Sequence, residues 1–509
     1  MANISPLTQK LIKDLTKSSR KKERDYFVKI ERDPFMGVFK KKLVEKSKDG
    51  EIRTTRKRLV QKFLEKEIFN DQKDYQKNPK SGARLLFSEM IKVGYFPTNK
   101  VKNSRFEKIS SILEKYSYLI KYSYYSNENL KKWIIPIAAC ELEENIWPIK
   151  RENALILYMS RSLEESLETE KIKEKKDLLL YIACRRALFD NVDFSVVGYY
   201  FLKNKYPFWE KATSNNLEEV VSLIHKEKKT IKDFSRSVAL KKIIFFCENK
   251  KLIYLIISRI ISQNGKESKE LFSDPYKTEK EIKINYENFK KSTEREVYYT
   301  GFLVCFFVLL FNLLLFSLIY NHPSSFFGIL FAPFLILLTT VTTPTPGEKN
   351  KNKAILDVVE TIYKKKKQEK IDISFEKQSP SVVFTINIFY FLIFTAWMFA
   401  VEAILILIKM PNEYHFIFLF TLSLSIFIVT KARKNTKKLY IFRKKENFFG
   451  IITEGLSLPF IKIEKWITER NFSSNAIKPV VKISKNDIVD ILKDSKIRLK
   501  EKKNKIYKI

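Results

Sequence analysis

From Val297 to Gly347 the chain runs for 51 residues without an Asp, Glu, Lys or Arg. Charged residues make up 30% of the chain as a whole, so charge and apolarity are segregated along it. Two apolar runs lie in or beside this stretch, residues 297–320 and 325–341, and two more follow at 382–408 and 414–430. Crossing a hydrocarbon core of about 30 Å takes roughly 20 apolar residues. The first and third runs exceed that length, and the second and fourth, at 17 residues each, sit at the low end of the spanning range. One such segment could pass for the buried helix of a soluble core. Four in one chain predict four transmembrane helices.

The connections predict their orientation. The turns Asn321-His322-Pro323-Ser324 and Met410-Pro411-Asn412-Glu413 carry no Lys or Arg, whereas residues 348–377 carry nine Lys, four of them consecutive at Lys364–Lys367. Lys431, Arg433, Lys434, Lys437 and Lys438 follow the fourth run directly. Basic residues collect on the cytoplasmic side of membrane proteins. Both termini and the 344–381 loop are therefore expected in the cytoplasm, with hairpins at 297–343 and 382–430 in a cell (inner) membrane. Tyr298, Tyr299, Tyr320 and Tyr414 fall at the expected interfaces, where amphipathic rings belong.

The remainder reads as helical. Residues 1–100 are basic and polar, with short helices and loops expected. Residues 104–263 hold helix-length apolar runs separated by short polar breaks, which predicts a cytoplasmic helical domain. Residues 264–296 are highly charged and read as a linker and a helix leading into the membrane. In residues 431–509, a basic tail, the segment 446–470 has the pattern of an amphipathic helix lying at the headgroup level or packed under the helical domain. The expected class is all-α: a polytopic membrane protein with four transmembrane helices in two hairpins and a large cytoplasmic helical part.

Net charge is +37, concentrated near the two ends. Phosphates of anionic lipid headgroups are one partner such charge would meet. Nucleic acid is another, but the chain has 76 Lys against 19 Arg, and phosphate readers favour the planar Arg fork. Abundant Lys, Ile, Asn, Phe and Tyr also follow from AT-rich codon usage. Four cysteines, Cys140, Cys184, Cys247 and Cys305, form no C-x-x-C pair, which fits a reducing compartment better than a disulfide framework. The first residues lack the apolar run of a cleavable signal peptide.

No catalytic signature is found: there is no H-E-x-x-H, no G-x-S-x-G, no phosphate-binding Gly-rich loop, and only 11 Gly in all. Cofactor and metal sites are accordingly not expected. Three histidines occur; His225 lies on a polar helix pattern, and His322 and His415 lie at the two outer turns, where polar turn residues are commonplace. The candidates left are polar groups inside the apolar runs. Glu402 is the sole ionisable residue in the third run, and an intramembrane charge is a functional hypothesis by default. Twenty residues separate it from Val382, roughly 30 Å of helix, so it is expected near the outer interface, in reach of water or Lys409. Asn312, just past the middle of the first run and suited to an interhelical hydrogen bond, and Asn387, near the inner face, are the other candidates. The expected role is a membrane-anchored cytoplasmic scaffold or binding protein, with the lipid bilayer and a protein partner or second copy as associates. The alternative is a subunit of a small oligomeric channel or transporter with a cytoplasmic regulatory domain.

Overall fold

A computed structural model gives the fold. It describes residues 3–16, 27–29, 49–69, 78–93, 95, 100–124, 128–148, 150–168, 176–189, 192–212, 214–319, 345–363, 371–372 and 380–407, with scattered positions at 333–343 and 415–439. The expected amphipathic segment at 446–470 lies outside these residues.

The described chain is predominantly helical. In order come α1 (Pro6–Thr16), α2 (Asp49–Phe63), α3 (Pro79–Lys92), α4 (Asn103–Tyr124), α5 (Glu128–Ile146), α6 (Lys150–Leu163) and α7 (Lys176–Phe189). Then follow α8 (Phe194–Lys205), α9 (Ser214–Arg236), α10 (Val238–Asn264), α11 (Ser268–Ser273), α12 (Pro275–Ile319), α13 (Glu348–Tyr363) and α14 (Pro380–Leu407). Two short strand pairs complete the set. Phe27–Lys29 (β1) runs antiparallel to Lys100–Lys102 (β2), and Leu167–Glu168 (β3) parallel to Ile371–Asp372 (β4).

These elements form two compact units. The first draws its described residues from 1–18, 150–188 and 236–470, and the second from 19–149 and 189–235. The helices of 104–263 are thus shared between the units, and the first 100 residues contribute to both.

In the second unit α5 lies between α2, α4 and α8. Ile137, Ala138, Ala139, Cys140 and Leu142 are all buried, and a helix apolar on most sides belongs inside a bundle. Helix α8 crosses it at Gly198, where an added Cβ would stand 2.8 Å from Ile137 Cδ1. Small size, rather than backbone freedom, is what this glycine supplies. Asp193 starts α8, its carboxylate accepting the Ser195 and Val196 N–H groups, an N-cap that satisfies donors with no partner in the helix.

In the first unit α1 packs on α6 and α10 through Leu11, Ile12 and Leu15. The Thr8 hydroxyl meets Tyr158 Oη at 2.9 Å and donates to the Ile362 carbonyl. Helix α10 ends at Gly265, whose φ of +54° suits a residue without Cβ.

Helix α12 is 45 residues long and continuous from the charged segment into the charge-free one. Among the described residues it is the helix found long and apolar enough to cross a membrane, with 22% of its most apolar window buried. It is crossed at Gly301, where an added Cβ would collide with the Thr340 side chain. Its charged half packs on α13, which lies within the expected 344–381 loop. There Asn350, buried, donates to Tyr286 Oη at 3.1 Å and to the Leu439 carbonyl at 2.8 Å. That one side chain joins positions before the first apolar run, after the second and after the fourth.

Because α8 can approach α5 only where a side chain is missing, Gly198→Val is expected to lower stability by about 1–3 kcal/mol through overpacking. Thermal melts of the detergent-solubilised protein, followed by circular dichroism, check this; an unchanged midpoint would show that Ile137 yields freely.

Candidate functional site

The apolar segments meet in one buried cluster. Val304 and Val308 come from α12, Ile336 from the second apolar run, Val401 and Leu405 from α14, and Leu419, Leu422, Ile426 and Val429 from the fourth run. Their opposite sides are bare: Phe302, Phe307, Phe399 and Leu407 are all strongly exposed. An apolar perimeter around an apolar core is what lipid requires and water penalises.

Glu402 stands at this cluster, and its partner is His415. Nδ1 of His415 lies 2.6 Å from Glu402 Oε1. The imidazole is buried, while the carboxylate keeps about a third of its surface, 36%, exposed. With Glu402 ionised, Nδ1–H donates and the ring is held in one orientation. Asn312 is buried on α12. Asn387 falls on the backbone of α14, with its side chain outside the described residues, as are Lys409 and His322. The sequence placed Glu402 near one end of its helix but offered Lys409 or water as its partner. The available signal was nearness in sequence, since only 13 positions separate Glu402 from His415.

A second polar constellation lies in the core of the second unit, on α5. Glu141 accepts from Lys115 Nζ at 2.6 Å, from Tyr116 Oη at 2.8 Å and from Trp209 Nε1 at 3.1 Å. Lys115 also donates to the Trp209 carbonyl and stands 4.6 Å from the centre of the indole ring, within cation–π range. Glu143 receives Arg53 and Arg56 from α2, each at 3.0 Å. Glu144 accepts from Tyr200, and Lys57 pairs with Asp193 beside Ser195. Three carboxylates within four residues thus point to α4, α2 and α8 and fix the register of each neighbour. Sequence reading placed "AACELEE" inside one of the helix-length runs of 104–263 and named no partner for its carboxylates. Its partners lie up to 90 residues away, beyond any local signal.

Burial shapes the electrostatics. Loss of hydration lowers the Lys115 ammonium against the opposing pull of Glu141. Burial, and then the charge of Glu141, pushes the Tyr116 and Tyr199 phenols well above their ordinary value. These groups are held neutral or paired, as a load-sharing polar core requires. Among the described residues, no group of three or more His, Cys, Asp or Glu could hold a metal ion. Comparison with protein-family models, with curated proteins and with solved structures gives no match.

Removing one partner of a buried pair strands the other, at a cost of about 3–5 kcal/mol. Lys115→Met is expected to destabilise the protein by that amount. Adding Glu141→Gln, which keeps an oxygen for Tyr116 and Trp209, should cost clearly less than the two single effects summed. A double-mutant cycle on melting free energies checks it; strict additivity would show that the pair carries no coupling.

Proposed function

We propose that the chain is a multi-pass protein of the cell (inner) membrane, with four transmembrane helices in two hairpins and both termini cytoplasmic. Its role on this reading is that of a membrane-anchored scaffold, whose helical cytoplasmic units bind a protein partner while Lys-rich edges lie against anionic headgroups. The observation that carries it is the single apolar cluster drawn from four separate apolar runs, with exposed Phe and Leu around its rim. Helix α14 adds to it: over 28 residues it has one ionisable side chain, Glu402. Close approach at Gly301 and Thr340 fits as well, because small residues at crossings are how helices pack in lipid. Positive charge supports the orientation. Lys349, Lys351 and Lys353 of α13 and Lys290, Lys291 and Arg295 of α12 flank the charge-free stretch on both sides.

A channel or transporter subunit is the second reading, and the Glu402–His415 contact favours it, since carboxylate–imidazole pairs in membranes also relay protons. Three features weigh toward the scaffold. Glu402 is partly exposed at one end of α14, its charge is answered by one buried ring, and the mass outside the apolar runs exceeds the mass within.

The two readings separate in one experiment. Glu402→Gln keeps a hydrogen-bonding oxygen for His415 and removes the charge. On the scaffold reading it restores the growth or localisation phenotype of a deletion strain to near wild-type level at equal protein abundance. A variant that is present in full amount yet as defective as the deletion would contradict the scaffold and place the channel first.

A further inference from the structure

An open groove of about 630 Å³ lies in the first unit, between α1 and the turn that joins α10 to α11. Lys10 and Lys13 line it from α1, Lys266 and Lys269 from the turn and α11, and Gln9 and Thr16 add polar edges. We propose that this groove binds a soluble polyphosphate-bearing ligand, which would clasp α1 to the root of α12.

Charge is the first reason. Four lysines line one concavity, against a single carboxylate, Asp14, among the described residues. All four lysines are exposed, and none pairs with another described residue, whereas Lys115, Lys205 and Lys351 elsewhere all meet carboxylates. Four like charges around one carboxylate repel on balance, and a concave wall focuses their field on a bound anion. Lysine suits a phosphate chain, which it meets as a compact point charge from several sides.

Size and placement narrow the ligand. The volume falls within the range of small-molecule sites, about 300–1,000 Å³. Among the described residues no aromatic side chain lines the groove, so they offer nothing on which to stack a nucleobase, and recognition rests with the phosphates. The position of the pair of lysines on the turn is built in: Gly265 reverses the chain with positive φ, and Ser268 Oγ donates to its carbonyl at 2.7 Å. Helix α12 begins at Pro275, and 22 residues separate that point from Val297, about 33 Å of helix. On the membrane reading, that keeps the groove clear of the headgroups, so a soluble anion rather than a lipid is the occupant. The groove itself does not depend on the topology, and neither does its test.

The test uses the full chain in neutral detergent, titrated calorimetrically with inorganic tripolyphosphate and with ATP, at near-physiological salt. Both are expected to bind with affinities within about threefold of each other, because the shared chemistry is the phosphate chain. Changing Lys10, Lys13, Lys266 and Lys269 together to Gln should weaken both by at least about tenfold. All four are exposed, so folding should survive, and an unchanged melting temperature checks that. A control with Lys226, Lys229, Lys232 and Lys241 changed to Gln removes the same charge elsewhere and should shift affinity by less than about twofold. Absence of tripolyphosphate binding up to about 5 mM, binding of ATP alone, or an equal loss in the control would each overturn the assignment.

Discussion

Helix α12 has charged residues throughout its first 22 positions and none in its last 23. A continuous helix cannot turn one half away from the solvent of the other, so the two halves must sit in different media or be covered by different partners. The charged half is covered by α10, α11 and α13, with Lys351 meeting Glu287 at 2.8 Å. The apolar half is covered on one side by three further apolar runs and is bare on the other. Backbone polar groups are satisfied within the helix in both halves, so no break is needed where the environment changes. Rigid continuity then gives the unit around α10 and α13 a fixed mechanical link to the apolar bundle.

Two polar fastenings hold what the apolar contacts alone would leave free to slide. Asn350 ties α13 to Tyr286 and to Leu439, three positions that flank apolar runs. At Glu402 and His415 the third run is tied to the fourth. Amide and carboxylate groups are costly to bury unless answered, and here Asn350 is answered from segments flanking two other runs and Glu402 from the fourth run. Apolar packing gives these helices affinity for each other; directional bonds give them register. In the second unit the same division holds. Leu, Ile and Ala make the bulk of the core, and Glu141, Glu143 and Glu144 set which face of α5 meets which neighbour.

The long apolar helix was legible in the sequence, because its signal is local. The run from Val297 is apolar whatever lies elsewhere in the chain, and the helix found there is long and apolar enough to cross a membrane. Helical character in 104–263 was legible for a similar reason, through three-to-four spacing of apolar residues. What escaped was everything that depends on distant partners. Glu141 and Glu143 look like solvated charges until Lys115, Arg53 and Arg56 are brought against them. Residues 150–188 look continuous with their neighbours, yet they belong with α1 and α10. The helix α13 was hidden in a segment whose lysines read as a loop, although Ala354, Ile355, Val358 and Ile362 form a buried face at helical spacing. Asn350 carried no signal at all, being an asparagine at the start of a basic stretch.

The central claim is that four apolar runs cross one bilayer with the Lys-rich segment on the inside. Single cysteines at Pro323, Asn412 and Lys365, compared with the native background, test it most directly when intact cells are exposed to a membrane-impermeant thiol reagent. The account predicts labelling at positions 323 and 412, and labelling at 365 only after the membrane is permeabilised. Labelling at 365 on intact cells, with 323 and 412 protected, would contradict it.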